Sequence, residues 1–317
     1  METRALGRSG IDVSRLTLGC GNFGGIGSAP AFFGAGESEE EAHAILDAAW
    51  AAGITAFDTA DAYGGGRSES YIGSWLGERP EIRGRLVLTT KTANPMEEGG
   101  DRGLSRDRIR RQIESSLKRL RVERVDLYLA HAPDPETPLA ETIGAFAELV
   151  EEGTIRAFGG SNVDRAWLEE ALRHGRVDCV QNSFSLLERE DERGVLEVCA
   201  HEGVAYTPYG PLAGGWLTGK YRRGEEPPAG SRMTMRPEAY EHLRDGRVFD
   251  GLEALEAYAH DRGTTMTALA LAWALSHPHV TGIVLGPRRP EHLLPALEAL
   301  TLDLSPVERG TLVELFL

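Results

Sequence analysis

Asp58, Lys91 and His131 each stand where a short apolar run ends, and Tyr63 follows Asp58 by five residues. Ser161-Asn162 closes a further run, and Gln181-Asn182 sits in the one after it. Tyrosine has an ordinary pKa of about 10, too high for efficient proton exchange near neutral pH. A nearby lysine cation favours the phenolate and lowers that value. An aspartate can keep the lysine charged and in place, and a neutral histidine can hydrogen-bond and orient a carbonyl. Such a set can protonate a carbonyl oxygen while hydride arrives at its carbon. It holds no nucleophile–base pair and no metal cage.

These residues need elements that aim them at one place, and the chain repeats such an element. Strands are expected at 15–19, 54–60, 85–91, 125–131, 154–162, 178–183, 203–210 and 282–286. Amphipathic helices lie between them. In one, Ile109, Ile113, Leu117 and Leu120 recur at helical spacing; in the next, Leu139, Ile143, Phe146 and Val150 do the same. Helices are also expected to fill roughly 250–277, and another helix from about Pro290. The strands are continuous apolar runs, the pattern of strands buried on both faces in a parallel sheet. Eight strand–helix units in about 300 residues predict an α/β fold of the (β/α)8 TIM-barrel type, whose active sites lie where strands end and βα loops begin. Residues 4–14 predict an extra N-terminal β-hairpin, and the βα loops near 24–36, 94–104 and 211–250 are long. No linker interrupts the chain, so 1–317 is expected to be a single domain.

Composition narrows the function classes. The 34 Lys+Arg against 49 Asp+Glu leave a net charge of −15, which repels phosphate backbones and anionic lipid surfaces. Nucleic acid and membrane are therefore not expected partners. Cys20, Cys179 and Cys199 form no CxxC pair, so neither zinc nor a disulfide framework is expected, and a reducing cytoplasm fits. The N-terminus has no apolar leader-like stretch, and no run of the chain approaches membrane-span length.

The motifs resemble those of the aldo-keto reductases along nearly the whole chain. DTADAY (58–63), the lysine closing the third strand, the histidine closing the fourth, GGSN (159–162) and VQN (180–182) carry the likeness. GRSGIDVSRLTLGCGNFGG near the start and PLAGGWLTGKY (211–221) add to it. The resemblance implies that Tyr63 is the general acid, Lys91 tunes it, Asp58 pairs with Lys91, and His131 positions the carbonyl. It implies a nicotinamide cofactor, NADPH first with NADH possible, and no metal. Ser161, Asn162 and Gln181 would hold the carboxamide, Tyr209 would stack on the nicotinamide ring, and Gly21 and Asn22 would lie beside it along with Asp58. Pro211, Leu212, Gly214 and Leu217 would line the pyrophosphate stretch, Lys220 and Arg232 would contact phosphates, and Gly286, Arg288 and His292 would form the last phosphate and adenine segment. Phe23, Tyr63, His131 and Trp216 would surround a small-molecule carbonyl substrate. Ala132 stands where the family often has Trp, and Pro295-Ala296 where it often has Glu-Asn.

Other motifs are weaker. Gly19 to Gly24 spells G-x-G-x-x-G, but Gly25, Gly27 and Pro30 follow it, and the Rossmann motif needs a helix at once. His277-Pro278-His279 has no carboxylate ligands near it in sequence. PDPETPLAET (133–142) resembles the family branch that includes potassium-channel β subunits, so a cofactor-binding regulatory or redox-sensing subunit with weak turnover is the alternative to an enzyme. Substrate identity and oligomeric state stay open.

Overall fold

A computed structural model describes residues 1–317. Two antiparallel strands, β1 (Thr3–Ala5) and β2 (Asp12–Ser14), form the expected hairpin. Eight parallel strands follow: β3 (Leu16–Gly19), β4 (Ala56–Asp58), β5 (Val87–Thr92), β6 (Val125–Ala130), β7 (Ile155–Ser161), β8 (Cys179–Gln181), β9 (Ala205–Tyr206) and β10 (Ile283–Leu285). They lie in sequence order, with β10 beside β3. The last seam is closed by bridges Tyr206–Val280 and Tyr209–Val284, and Val284 N–H donates to the Pro208 carbonyl at 2.8 Å. This is the (β/α)8 barrel anticipated from the apolar runs, and every residue of β5 and β6 is buried.

The hairpin seals one mouth of the barrel. Its Leu6, Ile11 and Val13 pack with Ala56, Val87, Leu127, Leu129, Ala157, Cys179 and Ala205, which project into the barrel interior. That leaves the other rim, where the strands end, for the polar residues.

The helices are α1 (Glu39–Ala51), α2 (Arg67–Gly77), α3 (Arg106–Leu120), α4 (Leu139–Glu151), α5 (Arg165–His174), α6 (Val195–Glu202), the short α7 (Arg232–Met235), α8 (Gly246–Asp261), α9 (Met266–Leu275), α10 (Leu294–Ala299) and α11 (Pro306–Glu314). The acidic run opening α1 has a local cause. Ser38 and Glu41 form a reciprocal capping box, and three glutamates face the positive end of the helix dipole. In α3 the stripe buries Ile109, Ile113 and Leu120, while Leu117 is only partly covered. Each fully buried Ile or Leu contributes about 1.5–3 kcal/mol.

The helices expected near 250–277 are α8 and α9, separated where Gly263 takes φ +70° and Thr265 caps α9 anew through Ala268 N–H. The last barrel helix does not begin at Pro290: a 3-10 turn, Pro290–Leu293, comes first. No helix is long and apolar enough to cross a membrane.

Candidate active site

The strand register delivers Asp58 and Lys91 to the same rim. Both are buried, Lys91 at 0% exposure, and the lysine Nζ donates to Asp58 Oδ1. The same ammonium donates to the Thr59 carbonyl at 3.0 Å and to the Tyr63 hydroxyl at 3.3 Å. The second oxygen of Asp58 accepts from Gln181 Nε2 at 2.8 Å. Lysine and aspartate are thus bound at every face that matters, which a buried ion pair needs if attraction is to offset desolvation.

Tyr63 is placed by the turn behind it. Gly64, Gly65 and Gly66 all take positive φ, and a Cβ on Gly64 would come within 2.7 Å of the Phe23 carbonyl. Only glycine fits that conformation and approach. The phenol ring meets the His131 ring edge-on at 5.3 Å, and Gly21 forms the wall beside it, where a Cβ would lie 3.5 Å away.

Protonation follows from burial. Burial pushes the Tyr63 phenol up; Lys91 acts downward, as anticipated, but does not win, and the Asp58 charge adds to the rise. The expectation of a net lowering is corrected: taking a phenolate out of water outweighs the neighbouring cation, so Tyr63 rests as a protonated donor. Burial opposes charge on Lys91, yet Asp58 and Tyr63 together raise its pKa and keep it cationic. His131 is held well below the usual histidine range by burial and by Lys91, so its ring is neutral. Its Nδ1 is buried without a partner.

A second group gathers at the ends of β7 and β9. Asn162 takes the left-handed conformation, φ +58°, and donates to the His131 carbonyl at 2.8 Å. Tyr209 OH donates to Asn162 Oδ1 at 2.6 Å, and Ser161 Oγ lies 3.3 Å from the Asn162 amide. The glycines before them are steric requirements. A Cβ on Gly159 would sit 1.8 Å from the Cys179 carbonyl, and one on Gly160 would strike the Trp167 ring.

Around the rim, cations collect. Arg232 donates to Asn22 Oδ1, and Gly286 lies against the Asn22 amide. Arg288 donates through Nε to Glu37 at 2.6 Å and through NH1 to the Gly230 carbonyl at 2.9 Å, while its own N–H donates to His292 Nδ1. Lys220 has no carboxylate partner. Partial desolvation, then Arg232 and Arg288, push its ammonium below the ordinary lysine range. Pro211 and Leu217 are buried under the 211–250 loop, with Leu212 and Gly214 half-covered. Cations gathered beside asparagine, glycine and tyrosine in this way could hold the phosphates and carboxamide of a dinucleotide. No group of three or more His, Cys, Asp or Glu side chains could hold a metal.

Two residues expected at the substrate pocket are fully buried. Phe23 is sealed in the main hydrophobic core. Trp216 packs on Tyr221 and Phe249 and borders a separate cavity with Met233 and Arg244. Other groups were given no role by the sequence, although Asp61 lies within DTADAY. Asp61 and Glu69 form a buried carboxyl pair behind Tyr63; Glu69 accepts from Thr90 at 2.6 Å and Arg119 at 2.7 Å. Asp61 has no hydrogen-bond partner on either oxygen, and burial first, then the Glu69 charge, pushes it up to about 7. Glu37 was legible only as part of an acidic run.

Residues 15–315 match the model of the aldo/keto reductase family. The chain is 32% identical over 329 residues to an Escherichia coli (strain K12) NADH-specific methylglyoxal reductase, covering 99% of this chain and 98% of that protein. It is 32% identical over 311 residues to a rice (Oryza sativa subsp. japonica) protein described as a probable voltage-gated potassium channel subunit beta, covering 95% and 91%. Among solved structures, the glycerol dehydrogenase of Gluconobacter oxydans superposes with a TM-score of 0.84 at 26% identity, over 99% of this chain and 94% of that one.

Proposed function

This chain belongs to the aldo/keto reductase family, and from that premise we propose that it reduces aldehydes or ketones to alcohols, reversibly, as one domain with Tyr63 as the proton donor. The observation that carries the reading is a protonated phenol touching a buried, charged lysine and a neutral histidine at one rim. A bound reduced nicotinamide dinucleotide supplies the hydride. Tyr63 OH gives its proton to the carbonyl oxygen, and Lys91 Nζ stabilises the phenolate left behind. Asp58, steadied by Gln181, holds that ammonium charged. His131 offers a ring N–H to the same carbonyl and so fixes the face presented.

Ser161, Asn162, Gln181 and Tyr209 hold the nicotinamide end beside Gly21, Asn22 and Asp58. Lys220, Arg232 and Arg288 take the phosphates, and Pro211, Leu212, Gly214, Leu217, Gly286 and His292 line the path. The three cysteines are free and buried, which suits a reducing cytoplasm.

A second reading, a cofactor-binding regulatory subunit, draws support from the rice relative. Titrating tryptophan fluorescence with NADH and NADPH, then following nicotinamide absorbance with a panel of aldehydes and ketones, separates the two. Turnover is expected, and Tyr63→Phe should lower kcat by roughly 10²–10⁴ with nucleotide affinity kept. Tight binding with no turnover of any carbonyl favours the regulatory subunit. Full turnover by Tyr63→Phe removes Tyr63 as the donor.

A further inference from the structure

Among the cations of the rim, one is already taken. The Arg288 Nε donates to Glu37 Oε1 at 2.6 Å, across 251 residues of chain. Glu37 is no mobile surface acid. Its N–H donates to the Asn22 carbonyl at 2.9 Å, its own carbonyl accepts from Gly24 at 2.8 Å, and its side chain is 4% exposed. The neighbouring Gly36 has no room for a Cβ, which would fall 1.9 Å from the Asn22 carbonyl, so the loop is pressed against the site. Glu37 Oε2 is sealed without a hydrogen-bond partner. The carboxylate therefore has one strong partner, and that partner is Arg288.

Lys220 and Arg232 have no carboxylate within ion-pair distance, whereas Arg288 does. Three cations and one carboxylate leave two positive charges uncompensated. That matches the diphosphate bridge of a dinucleotide, which carries about one negative charge on each phosphate. An additional phosphate monoester brings roughly 1.5 to 2 more. Arg288 has its Nε on Glu37 and one NH1 hydrogen on the Gly230 carbonyl, so such a phosphate would reach the NH2 edge with the pair intact, and there it would face the buried Glu37 carboxylate as a like charge. Arg289, the next cation, is exposed and lacks a carboxylate partner, and its charge there is screened by solvent and salt.

We propose that Glu37 is the residue that sets cofactor choice, neutralising Arg288 and setting a fixed like charge beside it so that the rim accepts the dinucleotide without a 2′-phosphate, NADH, in preference to NADPH. The proposal rests on the reading that places dinucleotide phosphates at Lys220, Arg232 and Arg288. It reverses the order of cofactors that the sequence motifs imply, because the pairing of Arg288 depends on a loop distant in sequence.

The test measures dissociation constants for NADH and NADPH by tryptophan fluorescence and by calorimetry, for the wild-type chain and for Glu37→Gln. Wild type should bind NADH at least about tenfold tighter than NADPH. Glu37→Gln keeps the shape and removes the charge; it should tighten NADPH by about tenfold and change NADH by less than about threefold. Wild type preferring NADPH, or binding the two alike, overturns the proposal, and that ratio does not depend on the variant folding. A Glu37→Gln variant that shifts both nucleotides equally also overturns it. Binding of neither nucleotide to wild type brings down the dinucleotide reading itself, and this inference with it.

Discussion

Replacing Lys91 by methionine keeps the length of the side chain and removes its charge. In the intact protein the buried ammonium meets the buried Asp58 carboxylate, the Thr59 carbonyl at 3.0 Å and the half-buried Tyr63 hydroxyl at 3.3 Å. After Lys91→Met, Asp58 keeps only the Gln181 amide at 2.8 Å. Breaking a buried pair from one side costs about 3–5 kcal/mol. In Lys91→Met plus Asp58→Asn no charge is left uncompensated, so the double variant should recover most of the loss, giving a coupling energy of about 2–3 kcal/mol. The assay is urea unfolding followed by circular dichroism for wild type, both single variants and the double variant. The Lys91→Met penalty should also shrink on acidification. At low pH a carboxyl carries no charge to leave buried and uncompensated. Equal destabilisation in Lys91→Met and the double variant, or a single-variant loss below about 1 kcal/mol, would refute the claim that this pair neutralises the site.

Three other outcomes follow from particular contacts. Asp61, with a folded pKa of about 7 against an ordinary 3.8, costs stability progressively as pH rises from about 4 through 7 and by a constant amount above that. Asp61→Asn should therefore be the more stable protein at pH 8, by an amount on the order of 4 kcal/mol, and the advantage should vanish near pH 4; a pH-independent difference in urea midpoint refutes this. Gly159→Ala should cost about 3 kcal/mol or more, since its Cβ would fall 1.8 Å from a backbone oxygen of the adjoining strand. Gly310→Ala, in α11 with nothing near its Cβ, should instead stabilise by about 0.4–1 kcal/mol, and a loss there of the Gly159 size would show that helix packing has been misread.

Much of the fold was legible because burial on both faces leaves its mark residue by residue. The runs that end in Asp58, Lys91, His131 and Ser161 are β4 to β7, and those residues meet at one rim because parallel strands in register deliver their ends together. The acidic run before α1 likewise suits a helix N-terminus, where the structure shows Ser38 and Glu41 forming a capping box. Where the reading failed, the deciding contact was remote. The Tyr63 protonation state turned on how completely the phenol is desolvated, which residue type and spacing do not reveal. Phe23 was expected to face the substrate, and its side chain is buried in the main core.

The chain by itself determined which chemistry is present and in what order. Strand periodicity, glycine at Gly64 and Gly159, and the acid, base and cation at successive strand ends are properties of short segments, set by local sterics and burial. Tertiary structure alone decided which charges share a partner. Gln181 reaches Asp58 across 123 residues, and Glu37 reaches Arg288 across 251. Electrostatic energy depends on distance and on water removed from between the groups, and neither is written in sequence separation.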